Sequence, residues 1–277
     1  MRNPAPYTIN LKGRLLDLSK PRVMGILNVT PDSFYSASRS EKETAIIERA
    51  SQILAEDGDI IDIGAYSTRP GCGRVSVEEE LSRMRLALGA VRRVYPEAVV
   101  SVDTFRPVVA RMAVEEYGAD IINDVSEGGA VDEGGFAGDC EGDIFAEAGR
   151  LGVPFILMSV KPTVEEMVIP FGKEIERLRG CGVKDIIIDP GFGFGKTVDQ
   201  NYKVLANLEK LHVFGLPLLA GVSRKRLVYQ VVGGDASTAL NGTTVINTVA
   251  LMSGASLLRV HDVREAVETV KIVSQMS

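Results

Sequence analysis

Residues 60–104, IIDIGAYSTRPGCGRVSVEEELSRMRLALGAVRRVYPEAVVSVDT, contain a strand, a helix and a second strand in succession. Two short apolar runs, Ile60–Ile63 and Val99–Val102, flank a longer segment, Val77–Val94, which begins with the capping-box pattern Ser76-Val77-Glu78-Glu79. The large apolar residues of that segment recur at helical spacing: Leu81, Met84, Leu88 and Val91. Because both runs are continuous rather than alternating, they are typical of parallel strands buried on both faces. The stretch predicts a β-α-β unit of a parallel sheet.

The same pattern recurs along the whole chain. The eight apolar runs are Val23–Leu27, Ile60–Ile63, Val99–Val102, Ile121–Ile122, Pro154–Met158, Ile186–Ile188, Leu218–Ala220 and Leu257–Val260. Further helix-like segments are Lys42–Asp57, Val198–Leu211, Thr238–Ser253 and Val263–Gln275. Eight β-α units in about 255 residues match the size and order of a (β/α)8 barrel. We therefore predict a single barrel domain over residues 1–277, with an open, doubly wound sheet as the alternative.

An N-terminal segment precedes the first unit. Tyr7–Asp17 has the pattern of a β-hairpin that turns near Lys12-Gly13. In a (β/α)8 barrel such a hairpin is expected to plug the N-terminal end, so we assign it a structural role.

Composition excludes several classes of protein. The 277 residues are 45% hydrophobic and 25% charged, which is ordinary for a globular protein, and the net charge is −6. The negative balance argues against non-specific binding to nucleic acid or to an anionic membrane. No apolar run is long enough to span a membrane, and the N-terminus lacks the pattern of a signal peptide. Three widely spaced cysteines, Cys72, Cys140 and Cys181, form no disulfide framework, so we predict a cytoplasmic location.

Polar residues follow most of the apolar runs. Barrel enzymes build their active sites at the C-terminal ends of the strands, so these residues are expected to converge at one mouth. The set is Asn28, Arg69, Asp103, Asn123, Asp189, Lys225, Arg259 and His261. Taken singly, an Asp or Asn after a strand is more often a helix cap, and a Lys or Arg a solvated helix start. The joint placement favours a site.

The set divides into two kinds of chemistry. Asp103, Asp189 and Asn123 can read a flat heterocycle through paired N–H groups, because carboxylates accept and the amide both accepts and donates. The basic residues suit a phosphate or diphosphate: Arg69, Arg259 and His261. Asn28 suits Mg²⁺, which takes one or two protein oxygens together with substrate phosphates and water. With only two histidines in the chain, an all-His zinc site is impossible.

The glycine-rich loop GFGFGKT, residues 191–197, resembles a phosphate-binding loop but lacks its spacing. The pattern G-x4-G-K-[ST] requires glycine at Pro190, and in G-x-G-x-x-G Lys196 occupies the last glycine position. We therefore expect the glycines to let Phe194 and the loop backbone come close to a ligand.

Seven of these stretches together closely resemble the dihydropteroate synthase family. They are MGILNVTPDSF, DIIDIGAYSTRPG, SVDT, IINDVS, DPGFGFGKT, GVSRKR and LRVHDV, in family order over nearly the whole chain. The resemblance implies a (β/α)8 barrel, usually a homodimer. It also implies a transferase that condenses 6-hydroxymethyl-7,8-dihydropterin diphosphate with 4-aminobenzoate, using Mg²⁺ and releasing diphosphate.

The resemblance also implies roles for individual residues. The pterin ring would be bound by Asp103, Asn123, Asp189 and Lys225, with Met158 and Gly221 as pocket walls. Asn28 would bind Mg²⁺, and the diphosphate would be held by Arg259 and His261. Thr68, Arg69 and Pro70 lie in the family's second loop, and Phe194 beside the aminobenzoate subsite. A further hypothesis places Arg226, where many members have Ser, against the aminobenzoate carboxylate.

Departures from the family pattern leave two other functions open. Ala65-Tyr66 replaces a usual Gly-Glu, the first loop reads SFYSASRS, and SVKPTVEEM follows Met158. One alternative is a methyltetrahydrofolate–corrinoid methyltransferase-like barrel, which needs no diphosphate loops. The other is a non-catalytic pterin-binding paralogue. Because both substrates of the synthase reaction are anions, that reaction also predicts a locally positive rim on this acidic chain.

Overall fold

The computed structural model describes residues 7–29, 39–66, 75–127 and 142–276. Within them, a two-stranded antiparallel hairpin precedes eight parallel strands that alternate with helices. The hairpin strands are β1 (Thr8–Leu11) and β2 (Arg14–Asp17). The parallel strands are β3 (Arg22–Asn28), β4 (Ile60–Gly64), β5 (Val100–Asp103), β6 (Ile121–Asp124), β7 (Phe155–Met158), β8 (Ile186–Asp189), β9 (Leu219–Ala220) and β10 (Leu257–Val260).

The strands form a barrel, as predicted. Their order is β8-β7-β6-β5-β4-β3-β10-β9. The two outer strands then meet, because Ile188 forms a parallel bridge with Leu218, and the Ile188 amide donates to the Pro217 carbonyl at 3.0 Å. The open-sheet alternative is therefore wrong.

Nine α-helices lie between and after the strands of the described segments. They are α1 (Arg39–Ala55), α2 (Val77–Val94), α3 (Pro107–Tyr117), α4 (Ile144–Leu151), α5 (Val164–Gly180), α6 (Val198–Ala206), α7 (Arg226–Val232), α8 (Leu240–Met252) and α9 (Val263–Val273). Short 3-10 turns follow α6 and α9, at Leu208–Phe214 and Ser274–Met276. No helix in this described part of the chain is both long enough and apolar enough to cross a membrane.

The structure corrects several helix predictions. The segment Val198–Leu211 divides into α6 and a 3-10 turn, and Thr238–Ser253 narrows to α8. Helices α3, α4, α5 and α7 were not among the predicted segments; α5 contains Pro170 and Gly172, which interrupt its apolar pattern. Ser76 does cap α2 by accepting from the Glu79 amide, but the reciprocal capping box lies at Thr197 and Gln200 of α6.

The hairpin closes the N-terminal end of the barrel. Its apolar residues Ile9, Leu11 and Leu18 are buried in one cluster with one inward side chain from almost every strand. Those strand residues are Met24, Ile60, Ile121, Ile156, Ile187, Leu219 and Leu257. We name this cluster the bottom layer. A second, larger apolar cluster lies between the strands and the surrounding helices.

Candidate active site

A polar layer lies two residues beyond the bottom layer along the same strands. Because side chains alternate faces along a strand, residues two apart point the same way, here into the barrel. The residues two positions beyond Ile60, Ile121, Ile187 and Leu257 are Asp62, Asn123, Asp189 and Arg259. Met158 and Gly221 follow Ile156 and Leu219 by the same step. We name these six residues the mouth layer.

The guanidinium of Arg259 lies between two carboxylates. Its Nε donates to Asp62 Oδ2 at 2.6 Å and its Nη2 donates to Asp103 Oδ2 at 2.6 Å. Burial would lower the pKa of Arg259, but Asp62 and Asp103 outweigh it and raise that pKa. Two carboxylates around one cation leave this part of the mouth without net positive charge. The predicted positive rim therefore depends on Lys225, Arg226 and His261, together with Arg69, which lies outside the described residues.

The carboxyl group of Asp103 is poised to change protonation near neutrality. Burial raises its pKa to about 7, the Arg259 guanidinium opposes the rise, and the neighbouring Asp62 carboxylate adds to it. The Asp103 side chain retains 17% exposure, whereas Asp62 is completely buried. A group of this kind can bind an N–H donor as a carboxylate and gain a proton at slightly acidic pH.

Asn123 and Asp189 complete the acceptors of the mouth layer. Asn123 Nδ2 donates to both Asp62 oxygens, at 3.4 and 3.3 Å. Asp189 ends β8, and its Oδ1 accepts the Gly191 amide at 2.7 Å. Burial raises the pKa of Asp189, against the opposing charge of Lys225.

Lys225 reaches the mouth from the N-cap of α7. Its Nζ donates to the Phe192 carbonyl and lies 4.5 Å from the centroid of the Phe194 ring. The stem of the lysine passes so close to Gly193 that a Cβ there would lie 2.9 Å from Lys225 Cδ. Gly193 also has a φ of +83°, in the left-handed region. The close approach of Lys225 and this positive φ together explain a glycine at this position.

Lys196 supports the same glycine-rich loop from below. Its Nζ donates to three backbone carbonyls, those of Ser159, Gly191 and Phe194, at 3.1, 3.0 and 3.3 Å. The lysine that resembled a phosphate-loop lysine therefore binds the end of β7 to the loop after β8. This agrees with the rejection of the phosphate-loop pattern.

Comparison with known proteins assigns this barrel to a family. Residues 24–261 match the family model of the pterin binding enzymes. The dihydropteroate synthase of Escherichia coli (strain K12) is 38% identical over 280 aligned positions, covering 95% of this chain and 94% of that protein. The solved structure of Xanthomonas albilineans dihydropteroate synthase with 4-aminobenzoic acid superposes with a TM-score of 0.86. It shows 34% identity and covers 98% of both chains. A Yersinia pestis dihydropteroate synthase in complex with a sulfonamide drug gives a TM-score of 0.85 at 35% identity, covering 98% of this chain and 99% of that one.

This chain belongs to the dihydropteroate synthase family of pterin-binding enzymes. The family consists of transferases, so the prediction of a transferase is confirmed at the level of the family.

In this family member, His261 is held by two residues that sequence reasoning did not select. Ser223 Oγ lies 3.1 Å from the backbone nitrogen and 3.1 Å from Nδ1 of His261. Arg49 of α1 donates to the His261 carbonyl at 2.6 Å and to the Ile26 carbonyl at 3.1 Å. Arg224, next to Ser223, forms a two-point ion pair with Asp262 at 2.8 and 2.7 Å. These contacts fix the backbone and ring of His261 at the rim of the synthase-family barrel.

The structure places the remaining predicted site residues as follows. Met158 is buried at the end of β7, and Gly221 lies where a Cβ would be 3.9 Å from both Arg259 Cβ and Lys225 Nζ. Asn28 ends β3, with its Oδ1 3.3 Å from the position that a Cβ of Gly64 would occupy; Asp103 Oδ2 is 3.6 Å from that point. Arg226 is exposed at the start of α7. Thr68, Arg69 and Pro70 lie outside the described residues.

Asp62 is the residue of the site that sequence reasoning missed. Asp62 is the third residue of the run Ile60–Ile63, the place that the selected Arg259 holds in Leu257–Val260, but only residues after the run were selected from its unit. Two signals could have revealed it: a carboxylate within a fully buried strand, and the same inward parity as Asn123 and Arg259.

Proposed function

We propose that this chain catalyses the condensation of 6-hydroxymethyl-7,8-dihydropterin diphosphate with 4-aminobenzoate to 7,8-dihydropteroate and diphosphate. The observation that carries the proposal is the mouth layer. Its Asn123 and Asp189, together with the half-buried Asp103 at the end of β5, lie beside the cations Arg259 and Lys225. Acceptors suit the N–H groups of a pterin ring, and cations suit its anionic substituent.

The pterin ring is proposed to bind against Asp103, Asn123 and Asp189, with Lys225 at its oxo edge. Met158 and Gly221 would form the walls of this pocket, and their places in the mouth layer support that role. The pairing of Asp189 with the charge of Lys225 supports a site that reads a donor edge and an acceptor edge side by side. A fused amino-oxo heterocycle requires acceptors for its N–H groups and a donor for its oxo group, and these residues offer both.

The diphosphate is proposed to leave toward Arg259, His261 and Arg69. The bond between the pterin methylene and the diphosphate oxygen breaks, the electron pair departs with the diphosphate, and the methylene becomes cationic. The acidic floor stabilises that cation, and the amine of 4-aminobenzoate then attacks it and loses a proton. In this SN1-like reaction the protein accelerates the condensation mainly by orienting the two substrates and by stabilising the charges that develop.

Mg²⁺ is the proposed cofactor. No group of three or more His, Cys, Asp or Glu side chains among the described residues could hold a metal ion. The residues present fit an ion that takes most of its ligands from substrate phosphates and water, with Asn28 Oδ1 as a protein ligand. When bound, Mg²⁺ would neutralise charge on the diphosphate.

The aminobenzoate is proposed to lie beside Phe194, and Thr68, Arg69 and Pro70 of the second loop are proposed to take part in binding the substrates. Arg226 is the proposed partner of its carboxylate, because it is an exposed cation directly after Lys225. A guanidinium can form two parallel hydrogen bonds with a carboxylate, which a serine hydroxyl cannot do.

A homodimer is the proposed assembly. Helix α8 carries exposed apolar side chains, Val245 at 55%, Val249 at 39% and Met252 at 48%, and such a strip is typical of a contact surface. Ile246 and Leu251 of the same helix belong to the core instead. A single domain over residues 1–277 and a cytoplasmic location are kept as proposals from the sequence.

One assay tests the proposed function. The purified chain is supplied with the pterin diphosphate, 4-aminobenzoate and Mg²⁺, and dihydropteroate and diphosphate are measured in equal amounts. Binding of both substrates without turnover would indicate the non-catalytic paralogue. Absence of any binding of the diphosphate substrate would favour the methyl-transfer alternative. Either outcome contradicts the proposal.

A further inference from the structure

Asp62 is a completely buried carboxylate with two partners, Asn123 and Arg259, both in the mouth layer. Its Oδ2 accepts the short hydrogen bond from Arg259 Nε, and both of its oxygens face Asn123 Nδ2. Because the Asp62 side chain is completely buried, its effect on a ligand has to pass through these two neighbours.

The carboxylate of Asp62 decides which way the amide of Asn123 faces. An ionised carboxylate has only acceptors, so the amide nitrogen of Asn123 must turn toward it and the amide oxygen away. The distances of 3.3 and 3.4 Å are long for hydrogen bonds. The orientation therefore follows from the sign of the charges rather than from one strong bond, since the flipped amide would bring its oxygen against two carboxylate oxygens.

This orientation changes what the floor of the site can bind. With Nδ2 turned toward Asp62, the carbonyl oxygen of Asn123 faces a ligand, beside at most one remaining N–H of the amide. Asp103 and Asp189 also offer acceptors when ionised. Three acceptors side by side match a ligand edge that carries N–H groups and repel an edge that carries a carbonyl oxygen at the same place.

We propose that Asp62 is a positioning residue that locks the Asn123 amide with its oxygen toward the ligand and thereby selects 2-amino heterocycles over 2-oxo heterocycles. The inference rests on the proposed function, because it concerns the same pterin site. The competing role for Asp62 is to balance the charge of Arg259 only. That role predicts weaker binding without any change of preference between the two ligands.

The test uses the full chain and two neutral ligands, 6-hydroxymethylpterin with its 2-amino group beside the acceptor N1 and 6-hydroxymethyllumazine with a 2-oxo group beside N1–H. Dissociation constants are measured by calorimetry for the wild type and for Asp62→Asn. The neutral side chain at 62 lets the Asn123 amide rotate and present its nitrogen to the lumazine oxygen. We expect the preference for the pterin to fall at least about 10-fold in Asp62→Asn, the scale of one discriminating hydrogen bond. An equal loss for both ligands would overturn the inference.

Two further variants make the result decisive. Asp62→Ser also releases the amide, so it serves if Asp62→Asn does not fold, and the same loss of preference is expected. The exchange Asp62→Asn with Asn123→Asp again turns an oxygen toward the ligand, so the preference should return to within about threefold of wild type, a difference below ~1 kcal/mol. A preference that stays at the single-variant value contradicts the proposal.

Asp120→Asn is the matched control. Asp120 is also a buried, ion-paired carboxylate, with Arg92 Nη2 at 3.0 Å, but it precedes β6 at the opposite end of the strand from Asn123. Its loss should leave the preference unchanged. If the wild type binds neither ligand, the proposed pterin function fails; if it binds the pterin and the preference does not depend on Asp62, only the present inference fails.

Discussion

The bottom layer and the mouth layer lie two residues apart on the same strands, yet their side chains have opposite chemistry. Ile60, Ile121, Ile187 and Leu257 are buried against the hairpin, whereas Asp62, Asn123, Asp189 and Arg259 form a hydrogen-bonded polar group or accept from the loops. One strand geometry thus supplies stability at one end and a site at the other. Alternation along a strand thus determines whether a side chain points into the barrel. Its position along the strand determines whether it packs against the hairpin or belongs to the polar site.

The largest expected effect concerns stability at the bottom layer. Ile187→Ala removes a completely buried side chain, so the free energy of unfolding should fall by about 2–5 kcal/mol. The Michaelis constants of the folded fraction should stay unchanged, because the cavity lies in the apolar layer that faces the hairpin and not among the mouth residues. Urea denaturation and steady-state kinetics measure the two quantities. A large shift in a Michaelis constant would show that the layers are not separate.

The next effect concerns binding at the mouth. Lys225→Ala should weaken pterin binding at least about 100-fold, since a charge-assisted contact and the partner of the buried Asp189 are lost together. Calorimetry with 6-hydroxymethylpterin measures this. Lys210→Ala removes a surface lysine that pairs with Glu165 and should change nothing. Full activity of Lys225→Ala would refute the role of Lys225.

A pH effect of about tenfold is expected from Asp103. Burial raises its pKa to about 7, so the carboxylate fraction, and with it the affinity for a neutral pterin, should rise about tenfold from pH 6 to pH 8. The folded protein holds this proton more tightly than the unfolded chain. The stabilisation is therefore complete below the ordinary Asp range and is lost as pH rises through about 7. In Asp103→Asn, the pterin affinity and the free energy of unfolding should both depend less on pH between 6 and 8. An unchanged pH dependence of binding in that variant would contradict the role of Asp103.

A smaller effect, about fivefold on kcat, is expected for Ser223→Ala. The hydroxyl holds the His261 ring, so its loss allows the ring to turn without unfolding the strand. NMR can follow this directly, because the chain has only His261 and His212. The His261 ring signals should shift while those of His212 stay constant. Unmoved His261 signals would count against the contact.

The smallest effect is expected at the edge of the mouth. Arg226→Ala should raise the Michaelis constant for 4-aminobenzoate about threefold, as for an exposed ion pair, and leave that for the pterin diphosphate unchanged. Steady-state kinetics with each substrate varied in turn distinguishes the two. An unchanged aminobenzoate constant removes Arg226 from the site and leaves it as a solvated helix start.

The fold could be predicted from the sequence because buried parallel strands are continuous apolar runs, and all eight runs match observed strands. Helices α4, α5 and α7 were harder to predict, since α5 has an internal Pro170 and α4 and α7 have only eight and seven residues. The residues at strand ends were selected by position alone. Their pairing could not be predicted, because Arg259 meets Asp62 from 197 residues away and only closure of the barrel brings the two together. Asp62 could have been predicted from its inward parity, because it holds the same third place in its run as Arg259 does in Leu257–Val260.

The proposed binding mode is tested most directly by a crystal structure of the chain with non-reactive analogues of 6-hydroxymethyl-7,8-dihydropterin diphosphate and 4-aminobenzoate. The pterin ring should lie within hydrogen-bond distance of Asp103, Asn123 and Asp189, with the Asn123 oxygen toward the ring. The diphosphate should lie beside Arg259 and His261. A pterin ring bound outside the mouth layer, or a diphosphate remote from Arg259, would contradict this binding mode.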